Sequence, residues 1–170
     1  MSKKPSNRIN KLSATQGIQA VDFKMMLSPD RVIELTADTK EGVLEELIDL
    51  TGASDQVADQ DRFRKAIYDR EKLLSTGVGN GIGLPHVKIP AVRDFVMSVG
   101  RQPDGIADYQ SQDGKPVHLV LMIGANDTQS NAFLKVLARL MMKLKNQSTR
   151  DSLMEAESTR QIYELLTADH

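Results

Sequence analysis

The chain has 170 residues, 22 basic against 23 acidic, with 40% hydrophobic and 26% charged residues. That length suits one domain, and the composition argues against wholesale disorder. The net charge of −1 excludes a bulk polycation on nucleic acid, and 4% aromatic content with no Trp leaves no base-stacking platform. The chain has no Cys, so disulfides, thiol catalysis, iron–sulfur clusters and zinc fingers are excluded. The three histidines, His86, His118 and His170, are far apart and make no HExxH pattern, so a metal site has no support. The longest apolar run, Leu119 to Ile123, is far short of the ~20 residues of a membrane span. The N-terminus lacks the apolar core of a signal peptide. The reading is a soluble, cytoplasmic protein.

Residues 1–22 carry Lys3, Lys4, Arg8 and Lys11 and no acid before Asp22, and read as a mobile basic tail. The folded domain is expected over 23–170. Val32, Ile33 and Leu35 suggest a short strand. Asp38 and Glu41 have capping-box spacing ahead of Val43, Leu44, Leu47 and Ile48 at helical period, with Gly52 closing the helix. A second helix fits Asp61 to Leu74, with Phe63, Ala66, Ile67 and Leu74 on one side. Phe95, Met97 and Val99 alternate as in a strand, Asp104-Gly105 and Asp113-Gly114 are turn dipeptides, and Val117 to Ile123 reads as a central strand covered on both faces. After Ser130 as candidate N-cap, Phe133, Leu134, Leu137, Leu140, Met141 and Leu144 form an apolar stripe. Thr149 is a candidate cap for a short helix through Leu153, and Ser158 with Gln161 forms a capping box before Ile162, Leu165 and Leu166. Lys135, Arg139 and Lys143 read as a solvated face, and the pairs Met25-Met26 and Met141-Met142 as core filler. Helices at both ends with strands between predict an α/β fold, a mixed sheet sandwiched by helices.

The stretch that carries chemistry runs from Arg70 to His86. Gly77, Gly79, Gly81 and Gly83 fall at every second position, and successive amides in such a loop can form an anion-binding nest. It is neither a Walker A loop nor a GxGxxG fingerprint. Pro85 fixes its own φ and biases Leu84 toward extended geometry, which holds His86 at a defined place. A neutral imidazole is a competent nucleophile toward phosphorus, and Arg70 supplies a planar fork suited to phosphate oxygens. His118, on the strand opposite Val117 and Leu119, reads as a satisfied core or surface histidine rather than a catalytic one.

The run Arg70-Glu71, then Ser75-Thr76-Gly77-Val78-Gly79-Asn80-Gly81-Ile82-Gly83-Leu84-Pro85-His86, resembles the IIA domain of the fructose/mannitol class of the bacterial sugar phosphotransferase system, which includes the nitrogen-regulatory IIA proteins. Leu27 to Val32, Asp113 to Val120 and Phe133 to Leu144 extend the resemblance over most of residues 24–167. It implies that His86 is the phosphoacceptor, that Arg70 orients the phosphoryl group, and that Thr76, Gly77, Gly79, Asn80 and Gly81 form a phosphate loop. It implies an HPr-type phosphocarrier as donor and a IIB domain or a regulatory target as recipient, with no metal or organic cofactor, no nucleic acid and no membrane span. A chain without fused transport segments leans toward the regulatory output. The alternative is a phosphorylation-silent binding module with a IIA fold. Against the family pattern, Gly83 stands for an alanine, Val87 for a small residue, and Phe133 for a second histidine that opens the helix after the central strand.

Overall fold

The structure, a computed structural model, describes residues 21–169; the tail reading falls on residues outside that range except at its last two positions. Two 3-10 turns, Phe23–Met25 and Pro29–Arg31, lead into β1 (Val32–Glu34). Then come α1 (Lys40–Gly52), α2 (Gln60–Leu73), β2 (Gly77–Gly79), β3 (Ile82–Gly83), β4 (His86–Lys88), β5 (Val96–Ile106) and β6 (Val117–Ala125). Helices α3 (Ser130–Lys145), α4 (Gln147–Glu155) and α5 (Thr159–Thr167) close the chain.

The strands make one mixed sheet in the order β1-β5-β6-β3-β2, with β4 also on β6. β5 and β6 run antiparallel and β1 lies parallel to β5. β3 and β4 share one edge of β6, Ile82 opposite Leu119 and His86 opposite Ile123. As the apolar run required, β6 is buried between two layers. Leu119, Leu121, Ile123 and Ala125 join the cluster under α3, α4 and α5, whereas Val120 and Met122 join the cluster under α1 and α2. The expected sandwich of a mixed sheet between helices is what the chain forms.

Local details depart from the sequence reading for physical reasons. Thr39, not Asp38, caps α1, accepting from the Gly42 amide at 3.2 Å. Asn146, not Thr149, caps α4, accepting from the Thr149 amide at 3.1 Å. Ser130 is the first residue of α3 rather than its cap, and Gln129 precedes it without a side-chain cap. Asp104-Gly105 does not end a strand: β5 passes through it, with the register against β6 shifting between Arg101 and Ile106. Leu74, expected on the buried side of α2, is 71% exposed, and Glu71 is buried instead. Of the methionine pairs only Met26 is core; Met25, Met141 and Met142 are exposed. Lys143 is not on a solvated face but buried, donating to the Ala168 carbonyl at the end of α5.

β2 and β3 form a hairpin whose turn is Asn80-Gly81, with φ of 57° and 76°. Two successive positive φ values are the demand of the tight turn that matches strand twist, which Asn-Gly meets at low cost. Gly83 answers a close approach: a Cβ there would lie 2.9 Å from Cζ of Tyr109. The Tyr109 ring is buried, bonded through its hydroxyl to Thr76 at 2.6 Å, and topped by the Lys40 ammonium at 4.6 Å. The glycine is thus matched to a tyrosine locked in the space an alanine methyl would need. Gly83→Ala is expected to destabilise the fold by about 1–3 kcal/mol, the usual cost of overpacking. Combining it with Tyr109→Leu should recover part of that loss in a denaturant double-mutant cycle; strict additivity would contradict the account.

Candidate phosphoryl site on strand β4

His86 is placed by strand pairing. Pro85 cannot donate to the ladder, so it separates β3 from β4, yet its carbonyl still accepts from the Ile123 amide at 3.0 Å. The break leaves the Leu84 carbonyl free to meet His86 Nδ1 at 2.6 Å. A carbonyl only accepts, so Nδ1 carries the ring proton and Nε2 keeps its lone pair.

His86 and its neighbours line a groove of ≈ 610 Å³ between α2 and α3. Ala66, Asp69, Arg70 and Leu73 come from α2, Val87, Lys88 and Ile89 from β4 and its exit, and Phe133 from α3. The Phe133 centroid is 5.7 Å from that of His86, and its other neighbour is Phe95, stacked at 6.5 Å. The helix opening on Phe133 therefore does stand beside His86. Burial in this apolar setting pushes the His86 pKa below its ordinary 6.5, and the Arg70 charge pushes the same way. The Leu84 carbonyl and the Glu71 carboxylate oppose the shift. The imidazole is thus held neutral, the form that can attack an electrophile.

Arg70 lies on the last turn of α2 and donates to the Leu74 carbonyl at 2.8 Å, closing its own helix end. Among the described residues no carboxylate pairs with it. Its remaining N–H groups can take an anion in the groove it shares with His86. Val87 borders the groove but is buried, packed in the core under α1 and α2.

The glycine hairpin is not brought to this groove. Thr76, Gly77, Gly79, Asn80 and Gly81 are absent from its lining. Ile82 and His86 pair with β6 four residues apart, so the Asn80-Gly81 turn lies on the order of 15 Å along the sheet from His86. The amides expected to form a nest already have acceptors: Gly79 on Ser111 Oγ at 3.0 Å, Asn80 on Asp113 Oδ2 at 2.9 Å. Gly79 and Asn80 instead line a separate depression with Ala138, Met141 and Met142 of α3. Thr76 serves behind the site: its hydroxyl bonds the Glu71 carboxylate, which pairs with Lys40 at 2.8 Å. This buried network ties the end of α2, and with it Arg70, to β2 and α1. His118 takes no part, its Nδ1 lying 3.2 Å and 3.1 Å from the Gln102 and Pro103 carbonyls.

In the sequence Glu71 stands only as the neighbour of Arg70 in the motif, and Lys88 as an exposed lysine that could help electrostatically; the folded chain gives both defined partners. Glu71 continues the buried stripe Phe63, Ile67 at four-residue spacing, a place where a carboxylate must be paired. Lys88 lies two residues beyond His86 on one strand face, and its Nζ donates to Ser130 Oγ at 3.0 Å.

A neutral histidine presented at a strand edge shares its groove with an arginine that no carboxylate pairs, a pattern suited to an anionic group. The chain belongs to the family of the phosphoenolpyruvate-dependent sugar phosphotransferase system, EIIA 2, whose pattern matches residues 25–169. It is 36% identical over 134 residues, 79% of its length, to the fructose-specific EIIABC component of Bacillus subtilis strain 168, of which it spans only 21%. It is 37% identical over 128 residues, 75% of its length, to the fructose-specific EIIA component of Haloferax volcanii, of which it covers 82%. Among solved structures, the nitrogen regulatory protein IIA-Ntr of Neisseria meningitidis superposes with a TM-score of 0.78 at 26% identity, over 84% of this chain and 97% of that one. Enzyme IIA-Mtl of Escherichia coli, solved in complex with phosphorylated enzyme IIB-Mtl, gives 0.68 at 25% identity, over 82% and 96%. The chain is thus a member of a phosphoryl-relay family with both sugar-specific and nitrogen-regulatory relatives. Among the described residues no helix is long and apolar enough to cross a membrane.

The electrostatics are checked by titration. The His86 ring, followed by NMR, should protonate below 6.5, and Phe133→Ala, by opening the ring face to water, should move the midpoint up toward it. Because the unfolded chain takes up this proton first, acidification through that range should also lower stability. A midpoint at or above 6.5 in the parent protein would contradict the buried, neutral imidazole.

Proposed function

We propose that this protein is a phosphoryl relay that accepts phosphate on Nε2 of His86 from an HPr-type carrier. It passes the group to a IIB domain or signals through its own phosphorylation state, in the cytoplasm. The observation that carries this reading is the Nδ1 contact with the Leu84 carbonyl, which leaves Nε2 as the nucleophile in a groove shared with Arg70. In the transfer, the donor's N–P bond breaks as the Nε2–P bond forms. The electron pair returns to the donor ring, and the Nδ1 proton stays on His86. Arg70 leaves the Leu74 carbonyl, or shares its remaining N–H groups, to hold the phosphoryl oxygens. A IIB recipient is proposed by analogy with the mannitol complex.

The regulatory output is favoured because Phe133 offers the phosphoryl group no donor where the family places a histidine. A hydrogen bond to a charged group contributes roughly 1.5–3 kcal/mol, so its absence slows transfer by about one to two powers of ten. Slow turnover suits a state that is read rather than passed on at flux rates. The same ring supports a second reading, a binding module that is not phosphorylated, since it surrounds His86 with apolar surface.

Incubation with phosphoenolpyruvate, enzyme I and a carrier separates the two. The relay predicts an acid-labile, alkali-stable label that His86→Ala abolishes; an unlabelled parent chain would leave the binding module. Arg70→Ala should slow labelling by about one to two powers of ten, as loss of a charged hydrogen bond implies, with little change in thermal midpoint. Phe133→His should speed transfer in both directions by a similar factor, and no gain would show that the missing donor is not limiting.

A further inference from the structure

Lys88 takes no part in the transfer just described, yet it lines the groove and is held there by two contacts. It follows His86 by two residues on β4, so the two side chains share a strand face with Cα atoms about 7 Å apart. Its Nζ is anchored on Ser130 Oγ at 3.0 Å and lies 5.8 Å from the centroid of Phe133. That is the same ring against which His86 lies at 5.7 Å. An exposed lysine ordinarily keeps its rotamer freedom; here a hydroxyl from one side and an aromatic face from another restrict it. Ser130 uses one of three N–H donors of the ammonium, and among the described residues no carboxylate pairs with it. Among the described residues the only carboxylate lining the groove, that of Asp69, is bound to Lys65 at 2.5 Å.

Phosphorylation of His86 would bring close to two negative charges on three oxygens into this groove. Arg70 approaches from α2, and Phe133 supplies no donor from α3. We propose that Lys88 is a catalytic residue whose ammonium, poised by Ser130 across the Phe133 ring, contacts the transferring phosphoryl oxygens and fills the donor position that Phe133 leaves vacant. This rests on the relay reading. The N–P bond exchange is unchanged and Lys88 gives up no proton; its charge offsets that on the oxygens in the transition state and in the phosphohistidine. Ser130 is a positioning residue, acting only through Lys88.

The test uses the full chain with Lys88→Gln, Lys88→Arg and Ser130→Ala. Rapid-quench transfer from a phosphorylated HPr-type carrier is combined with 31P NMR titration of the phosphohistidine. Lys88→Gln should slow transfer by about 10–100-fold, the range set by losing one charged hydrogen bond. It should also raise the pKa of the phosphoryl group's second ionisation, because a nearby cation favours the dianion. Lys88→Arg should restore most of both, and Ser130→Ala should slow transfer by a smaller factor. Unchanged thermal midpoints confirm that the fold is intact. A Lys88→Gln variant that transfers at the parent rate overturns the proposal alone. So does one that transfers slowly with an unaltered 31P titration, since Lys88 would then act in docking the carrier. A parent chain unlabelled at His86 overturns the relay reading and this proposal with it.

Discussion

The site depends on one contact, His86 Nδ1 against the Leu84 carbonyl at 2.6 Å. It selects the ring tautomer, fixes the plane of the imidazole and leaves the Nε2 lone pair open, the nucleophile of the proposed relay. The contact exists because Pro85 interrupts an otherwise continuous strand. Ile82-Gly83 and His86-Val87-Lys88 both pair with β6, while the residues between them keep carbonyls but give up part of the ladder. β6 in turn is positioned by the two buried layers, so both hydrophobic clusters converge on the register that sets His86 opposite Ile123. A slip of one residue would turn His86 into the core and take Val87 out of it.

Around that contact the groove divides into an apolar wall and two unpaired cations. Phe133, stacked on Phe95, withdraws His86 from water and disfavours the imidazolium; Arg70 adds to the same effect. Both raise the neutral, nucleophilic fraction. In the proposed relay the cations serve the other half of the reaction, when charge arrives with the phosphoryl group. Behind Arg70, the Glu71 carboxylate is held by Lys40 and Thr76, with Tyr109 closing the network. The end of α2 is thereby fixed to the sheet, so Arg70 projects from a rigid element rather than a frayed helix end. Tyr109 also explains Gly83, so a departure from the family pattern in the strand has its cause in a loop 26 residues further on.

Much of this was legible in the sequence. The nearly continuous apolar run from Val117 to Ile123 reads as the central strand it forms, and Pro85-His86 with Arg70 points to the groove they share. The glycine run misled because spacing cannot tell an anion nest from a hairpin: Asn80-Gly81 supplies a tight turn, and side chains from the 111–113 segment already occupy its amides. The cap of α1 slipped by one because Asp38 and Thr39 are adjacent polar residues, and the choice depends on where the chain arrives from β1. Leu74 was assigned by period to the core because the sequence does not show that α2 ends at Leu73. Lys88 and Ser130 are 42 residues apart, and only the packing of α3 against the edge of the sheet brings them together.

The most direct measurement is 15N NMR of the imidazole nitrogens of His86, before and after phosphorylation by a carrier. The account predicts the Nδ1–H tautomer in the resting protein, with Nε2 showing the shift of an unprotonated nitrogen. After transfer it predicts nitrogen–phosphorus coupling at Nε2 with Nδ1 still protonated. An Nε2–H tautomer at rest, or phosphate on Nδ1, would contradict it.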